Sequence, residues 1–89
     1  MAYIIEFSSQ FEKSIKKLKK KDKTLFNQIQ KKLIDIIQNP ERYKTLRNVL
    51  AGYRRIHFGP FVLVYKIENN KVNIISLDHI DKANILYNY

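Results

Sequence analysis

Hydrophobic residues recur along this chain with two different spacings. Residues 9–20 and 22–38 carry apolar side chains three and four positions apart, as on one face of an α-helix. Four other short runs are rich in β-branched and aromatic residues, as strands are: residues 2–7, 52–58, 61–68 and 71–78. The pattern therefore predicts the order strand, helix, helix and three strands.

Residues that favour helix starts and turns stand between these segments. Ser9, three positions before Glu12, has the pattern of a capping box for the first helix, and Asp22 is suited to cap the second. Two breaks separate the last three strands: Gly59-Pro60 and Asn69-Asn70. Because both breaks are of hairpin length, the three strands are expected to form an antiparallel meander.

These elements predict an α+β fold in a single domain that spans residues 1–89. A helical hairpin is expected on one face of a small sheet, which leaves the opposite face open. Residues 80–89 are expected to form a short C-terminal helix or to fray. Residues 41–51 lack a clear period and are interpreted as a connector that packs on the core through apolar side chains: Tyr43, Leu46, Val49 and Leu50.

The second strand carries the first candidate functional residues. Side chains alternate across a strand, so Arg55 and His57 share one side, whereas Arg54 shares the other side with apolar neighbours. Arg54 is accordingly expected to snorkel at the sheet edge or to pair locally. Tyr65, in the next strand, is expected to belong to the core.

A third candidate, His79, stands at the end of the last strand beside Asp78 and Asp81. The meander is expected to bring Arg55, His57 and His79 to one concave face. Imidazole is the side chain that most readily gives and takes a proton near neutral pH, so this cluster suggests acid–base chemistry. The alternative is that both histidines are ordinary surface residues.

Charge adds a second candidate site, in the first helix. The chain has 17 Lys and Arg against 8 Asp and Glu, a net charge of +9. Seven basic residues face a single acid within residues 13–23: Lys13, Lys16, Lys17, Lys19, Lys20, Lys21 and Lys23. Such a field attracts polyanions, among which nucleic acid has the densest charge. The alternative is a solvated helix face.

The composition excludes several functional classes. There is no Cys, so disulfides and thiolate zinc sites are excluded, and two histidines alone cannot complete a structural metal site. Phosphate-binding loops, nucleophile elbows and metalloprotease motifs are absent. From these absences we expect no metal or cofactor. Since no run is apolar enough to span a membrane and the N-terminus lacks a basic segment before an apolar one, we also expect a cytoplasmic protein.

Two segments resemble a known protein family. Residues 50–65 read Leu-Ala-Gly-Tyr-Arg-Arg-Ile-His-Phe-Gly-Pro-Phe-Val-Leu-Val-Tyr, and residues 78–83 read Asp-His-Ile-Asp-Lys-Ala. With the order of elements, they resemble the RelE/ParE superfamily of toxins over nearly the whole chain. The first segment is the more specific one, because basic residues two apart, a Gly turn and a strand ending in Tyr recur in that family.

The resemblance implies a toxin of a type II toxin–antitoxin system. RelE-type members enter the ribosomal A site and cut messenger RNA without a metal, and an antitoxin wraps each of them. By this resemblance Arg55 holds the phosphate, His57 or His79 moves protons, and the lysines of the first helix dock on ribosomal RNA. The implied partners are a cognate antitoxin of RelB type, the ribosome and messenger RNA.

Three positions depart from the family pattern. Val62 and Ile80 stand where many members carry basic residues, and Asn84 stands where relatives often have a catalytic Tyr. Tyr87, three positions further on, is the candidate replacement. The departures favour a second hypothesis, a ParE-like toxin that binds a protein such as a topoisomerase and cuts no RNA. A third, an RNA-binding domain without an antitoxin, lacks an exposed aromatic platform for bases.

Overall fold

The computed structural model describes residues 3–43 and 52–82. Its elements in chain order are β1 (Ile4–Phe7), α1 (Ser9–Lys21), α2 (Lys23–Gln38), the one-turn helix Pro40–Arg42, β2 (Tyr53–Phe58), β3 (Phe61–Glu68) and β4 (Lys71–His79). Residues 80–82 are also helical, where the C-terminal helix was expected to begin. The predicted α+β fold is confirmed.

The four strands form one sheet in the order β1-β4-β3-β2. Neighbours among β2, β3 and β4 are antiparallel, whereas β1 lies parallel to β4. The hairpins turn at the predicted breaks, where Gly59 and Asn69 have positive φ values of 55° and 57°. Gly and Asn adopt such values most readily, so these residues explain the meander. The sheet edges are β1 and β2.

The second helix begins and ends where the sequence predicts. Asp22 accepts a hydrogen bond from the backbone N–H of Leu25 at 3.0 Å, which confirms it as the cap of α2. The helix ends at Gln38 because Pro40, two positions on, cannot continue its hydrogen bonding.

The first helix is capped by Ser8, so the prediction that Ser9 caps it was wrong by one residue. The Ser8 hydroxyl accepts a hydrogen bond from the N–H of Phe11 at 3.0 Å. The same hydroxyl donates to the carbonyl of Ile75 in β4. Because only one of the two serines reaches the sheet, a tertiary contact decides which of them becomes the cap.

Both helices cover one face of the sheet, as predicted. α1 buries Phe11 and Leu18 there, and α2 buries Ile29 and Ile36. Seven buried strand residues pack against them: Ile56, Phe58, Leu63, Tyr65, Val72, Ile74 and Leu77. Burying a large apolar side chain contributes about 1.5–3 kcal/mol, so this helix-side face supplies most of the stabilising burial.

The opposite face of the sheet is not open at its centre, contrary to the prediction. Val62 and Val64 are buried on that face, and Tyr53, Ile75 and Ile80 pack against them. The physical reason is that β3 is apolar at consecutive positions, and side chains alternate between the two faces of a strand. Hydrophobic side chains of β3 therefore lie on both faces of the sheet, and burial stabilises them on each. Along the edge strand β2 this second face is more accessible.

One extra residue in β4 changes which side chains share a face. Val64 pairs with Ser76 and Tyr65 pairs with Ile74, so Ile75 is an inserted residue, a β-bulge. Because alternation has a period of two, the bulge reverses the face of every later residue in β4. Asp78 therefore lies on the second face with Val62, and His79 lies on the helix-side face.

Within the described residues, neither helix is long and apolar enough to cross a membrane. Tyr43 packs against the helix-side core, as predicted for the connector. Leu46, Val49 and Leu50, the other predicted contacts of the connector, lie outside the described residues.

Candidate active site

Arg55 and His57 lie on the second face of the sheet, along the edge strand β2. The register pairs Arg55 with Val64 and His57 with Val62, and residues opposite each other in such a pair share a face. Two positions apart on a strand, the Cα atoms of Arg55 and His57 are about 7 Å from each other. His57 is exposed and Arg55 is half-buried. A single phosphodiester group can therefore contact both side chains.

His57 also borders a cleft between the end of β2 and α2. The cleft has a volume of about 340 Å³ and is lined further by Gln28, Lys31, Lys32, Asp35 and Phe58. Asp35, the acid in this lining, lies 3.3 Å from the guanidinium of Arg42. Lys31 and Lys32 thus add positive charge at the same edge. A polyanion that approaches His57 from this edge meets cations from both β2 and α2.

A further cation on the second face, Lys66 of β3, was missed from the sequence. Lys66 pairs with Tyr53, and its ammonium lies 5.2 Å from the centroid of the Tyr53 ring. The ammonium is also 3.5 Å from the carboxylate of Glu68. The signal was available, because alternation along β3 places Lys66 on the face of Val62 and Val64.

Asp78 is the buried acid of the second face. It pairs with Val62, which pairs with His57, so the three residues form one row across the sheet. The residue is 8% exposed and its Oδ1 lies 3.6 Å from Nζ of Lys82, whereas Oδ2 makes no hydrogen bond within residues 3–43 and 52–82. A buried carboxylate needs a cation nearby, so Asp78 holds Lys82 close to the end of β4.

His79 does not share a face with Arg55 and His57, so the predicted cluster of three residues was wrong in this respect. His79 pairs with Phe61, and their rings meet edge to face with centroids 5.9 Å apart. Phe61 packs against the helix-side core. The bulge at Ile75 is the cause, because without it His79 would fall on the side of His57.

Arg54 and Tyr65 have a structural role on the helix-side face, as expected from their alternation. Arg54 donates hydrogen bonds to the carbonyls of Glu41 and Tyr43, at 3.2 and 2.7 Å. Tyr65 lies opposite Arg54 in the register, is fully buried, and donates to the carbonyl of Pro40. The two side chains together anchor residues 40–43 to the sheet.

Both tyrosines of this anchor remain protonated to high pH. Burial, followed by a hydrogen bond to Asp35, raises the pKa of Tyr43 to about 12. Burial also raises the pKa of Tyr65 well above its ordinary value, against the opposing charge of Arg54. Neither phenol is suited to release a proton at neutral pH. Among the described residues near Arg55, imidazole is therefore the better proton carrier.

The seven lysines of residues 13–23 are all exposed, but they do not form one face. With 3.6 residues per turn, Lys16 and Lys20 lie opposite the buried side of α1. Lys17 and Lys21 lie on the flank that approaches the end of β4. Lys19 lies on the other flank, with its ammonium 5.7 Å from the ring centroid of Phe26 in α2. The charge therefore surrounds α1 on three sides.

Two further predictions concern Tyr87 and metal binding. Tyr87 is outside the described residues, so its role stays a prediction. In the part of the chain that the structure describes, no three His, Asp or Glu side chains gather as metal ligands.

Known toxins match this chain in sequence and in fold. The sequence model of a family described as the ParE toxin of the type II toxin–antitoxin system parDE matches residues 5–83. A Methanocaldococcus jannaschii protein named as toxin RelE4 is 38% identical over 84 residues, covering 93% of this chain and 89% of that protein.

Two solved structures extend the match to three dimensions. A chain of the toxin–antitoxin complex RelBE2 from Mycobacterium tuberculosis superposes with a TM-score of 0.75 at 25% identity, covering 89% of this chain and 99% of that chain. YoeB from Staphylococcus aureus, solved as a dimer, superposes with a TM-score of 0.76 at 25% identity, covering 89% of this chain and 98% of the YoeB chain.

Proposed function

The chain belongs to the RelE/ParE superfamily and is a toxin of a type II toxin–antitoxin system, and from this premise we propose that it cuts messenger RNA on the ribosome without a metal. The relative named as toxin RelE4 and the matching chain of the RelBE2 complex support a RelE-type activity within the superfamily. A ribosomal target also implies a cytoplasmic protein.

One observation carries the proposal: Arg55 and His57 share the accessible edge of the second face. A guanidinium binds a phosphate through directed, charge-assisted hydrogen bonds, and an imidazole two positions away can exchange a proton with the bound group. Lys31 and Lys32, which line the neighbouring cleft, would attract the RNA strand to the same edge.

In the proposed reaction the 2′-hydroxyl of a ribose attacks the adjacent phosphorus, and the bond from phosphorus to the 5′-oxygen of the next nucleotide breaks. A base takes the proton of the attacking hydroxyl, and an acid gives a proton to the leaving 5′-oxygen. The products are a 2′,3′-cyclic phosphate and a 5′-hydroxyl. Arg55 would stabilise the negative charge that accumulates on the phosphorane between these steps.

His57 is the residue that we assign to proton transfer. Its position on the face of Arg55 supports this role, whereas His79 lies across the sheet and would need an RNA that reaches both sides. Because His79 lies on the other face, we assign the second proton transfer to the predicted Tyr87.

The exposed lysines of α1 would dock the toxin on ribosomal RNA, because phosphate contacts position a protein without demanding a base sequence. The same charge suits an acidic antitoxin. The RelBE2 relative was solved as a toxin–antitoxin complex, which supports a neutralising partner of RelB type for this chain.

The test is single-turnover cleavage of messenger RNA on programmed ribosomes by the antitoxin-free protein. We expect cut messages with a 2′,3′-cyclic phosphate end, and we expect Arg55→Ala to abolish most of the cutting. Growth arrest by wild-type protein without any cut message would contradict the proposal and support instead the ParE-like hypothesis, binding to a protein such as a topoisomerase.

A further inference from the structure

A second cleft with positive charge lies on the helix-side face, between α1 and the end of β4. It has a volume of about 230 Å³, and Lys17, Lys21 and His79 are among its lining residues. We propose that this cleft binds a phosphate group of RNA, separately from the phosphate held by Arg55. The inference rests on the proposed function and adds a second RNA contact to it.

The two lysines supply the charge. They are four positions apart on α1, so their side chains are neighbours on one flank of the helix. Both lysines are exposed. The lysines that form ion pairs among the described residues are three others: Lys66, Lys71 and Lys82. The ammonium groups of Lys17 and Lys21 are therefore available to an anion that enters the cleft.

His79 supplies a directed hydrogen-bond donor. Its Nδ1 accepts a hydrogen bond from the backbone N–H of Asp81 at 3.3 Å. In a neutral imidazole whose Nδ1 accepts, the proton is on Nε2, which becomes a donor. The edge-to-face contact with Phe61 limits the orientations of the ring. His79 can thus donate to a phosphate oxygen without first becoming charged.

The floor of the cleft is apolar, because Leu18, Phe61 and Leu77 contribute to it. Such a floor lowers the local dielectric constant and strengthens the attraction between an ammonium and a phosphate. Measured against about 30 Å³ for one water, the cleft also has room for a phosphodiester group and part of its ribose. The shape and the chemistry of the lining therefore agree.

Two acids lie at the cleft: Asp78 is one of its lining residues, and Asp81 is close to the ring of His79. Asp78 lies 3.6 Å from Lys82, and the carboxylate of Asp81 lies 3.6 Å from Nδ1 of His79. With Lys17 and Lys21 included, the ammonium groups at this end of the sheet outnumber the carboxylates. The local charge is thus positive even when both acids are ionised.

The cleft lies within reach of the candidate active site. Phe58, next to His57, pairs with Phe61, and Phe61 pairs with His79. Two strand spacings separate the ends of this row, about 10 Å. One RNA strand that passes over the Gly59-Pro60 turn can therefore contact both faces of the sheet, with one phosphate at Arg55 and another in the cleft.

The test compares two double variants of α1 that remove the same charge. Lys17→Gln with Lys21→Gln changes the cleft, and Lys16→Gln with Lys20→Gln changes a pair of the same spacing on the outward side of the helix. Binding is measured with a short 2′-O-methyl RNA, which lacks the attacking hydroxyl and cannot be cut. We expect the cleft variant to weaken binding about tenfold and the control about threefold or less.

Two further readouts identify the contact. The slope of log affinity against log salt should fall in magnitude by about 0.7 for the loss of one phosphate contact in single-stranded RNA. The NMR signals of the His79 ring should shift when the RNA is added to wild type or to the control, and should not shift in the cleft variant. Equal losses of affinity in the two variants, for the short RNA and for ribosomes alike, would overturn the inference, as would a His79 response to the short RNA that persists in the cleft variant.

Ribosome binding separates the two sources of the phosphate. If the cleft variant loses affinity for ribosomes but binds the short RNA like the control, the phosphate belongs to ribosomal RNA. Because binding is measured without cleavage, the two proposals fail separately. A wild-type protein that cuts nothing but shows the cleft-specific loss refutes only the endoribonuclease, whereas a cleft variant that binds and cuts like the control refutes only the cleft.

Discussion

Arg54 and Arg55 are adjacent in the sequence, yet they serve opposite faces of the sheet. On the helix-side face, Arg54 donates to two backbone carbonyls and helps to anchor residues 40–43. On the second face, Arg55 lies along the accessible edge with His57. In an edge strand, a shift of one position therefore separates a side chain that stabilises the fold from one that is placed to meet a substrate.

The largest expected effect separates the two histidines. His57→Ala should lower the single-turnover cleavage rate about 10²–10⁴-fold at saturating protein, because it removes a proton-transfer group. His79→Ala should lower the same rate less than about tenfold, because its ring lies on the other face and contributes to binding. Cleavage of programmed ribosome complexes measures both. Equal losses in the two variants would mean that the faces do not divide the chemistry as we describe.

The next effect separates the two arginines. Arg55→Ala should reduce the cleavage rate about 10²–10³-fold through loss of charge stabilisation. Arg54→Ala should instead lower the free energy of unfolding by about 1.5–3 kcal/mol, since it removes charged hydrogen bonds to two carbonyls. Urea denaturation and single-turnover cleavage, both run on each variant, test the division. If folded Arg54→Ala lost more cleavage than Arg55→Ala, our assignment of the faces would be wrong.

A smaller effect concerns the tyrosine of the anchor. Tyr65→Phe removes the hydrogen bond to the Pro40 carbonyl in a fully buried place and should lower the free energy of unfolding by about 1–3 kcal/mol. The matched control is Tyr53→Phe, a half-buried residue of the second face, for which we expect about 0.5 kcal/mol or less. Urea denaturation measures both, and similar values would show that the anchor adds nothing specific.

The smallest effect is a dependence of stability on alkaline pH. The pKa of Tyr43 is raised from 10.0 to about 12 in the folded protein, so the unfolded chain loses this proton first as the pH rises. The stability due to Tyr43 is complete below the unfolded pKa and is lost as the pH rises through the folded one. Urea denaturation between roughly pH 9 and pH 11 should show a decline that is shallower in Tyr43→Phe. An identical decline in this variant would assign the effect to other groups.

Much of the fold could be predicted because its signals are local. The hairpin turns follow from residues that tolerate positive φ, Gly59 and Asn69, and the start of α2 follows from the capping carboxylate of Asp22. The start of α1 could not be predicted to the residue. Ser8 and Ser9 are equally suited to cap a helix, and the contact of Ser8 with Ile75, distant in the sequence, decides between them.

The candidate site was predicted in part for the same reason. Arg55 and His57 share a face by strand alternation alone, and the register confirms it. His79 was assigned to the wrong face because a β-bulge at Ile75 reverses the alternation of β4. The local sequence around Ile75 contains no residue that would predict a bulge. The same alternation along β3 would have placed Lys66 on the second face, but Lys66 was overlooked.

The order of the elements and the side of β2 on which each arginine lies follow from spacing along the chain, and the family follows from the resemblance of two short segments, so all three could be predicted without a structure. Three other features became known only from the folded molecule: the place of β1 beside β4, the burial of Val62 and Val64 on the second face, and the division of the two histidines between the faces. These features depend on which distant strands pair and in what register, and that choice minimises exposed apolar surface over the whole sheet.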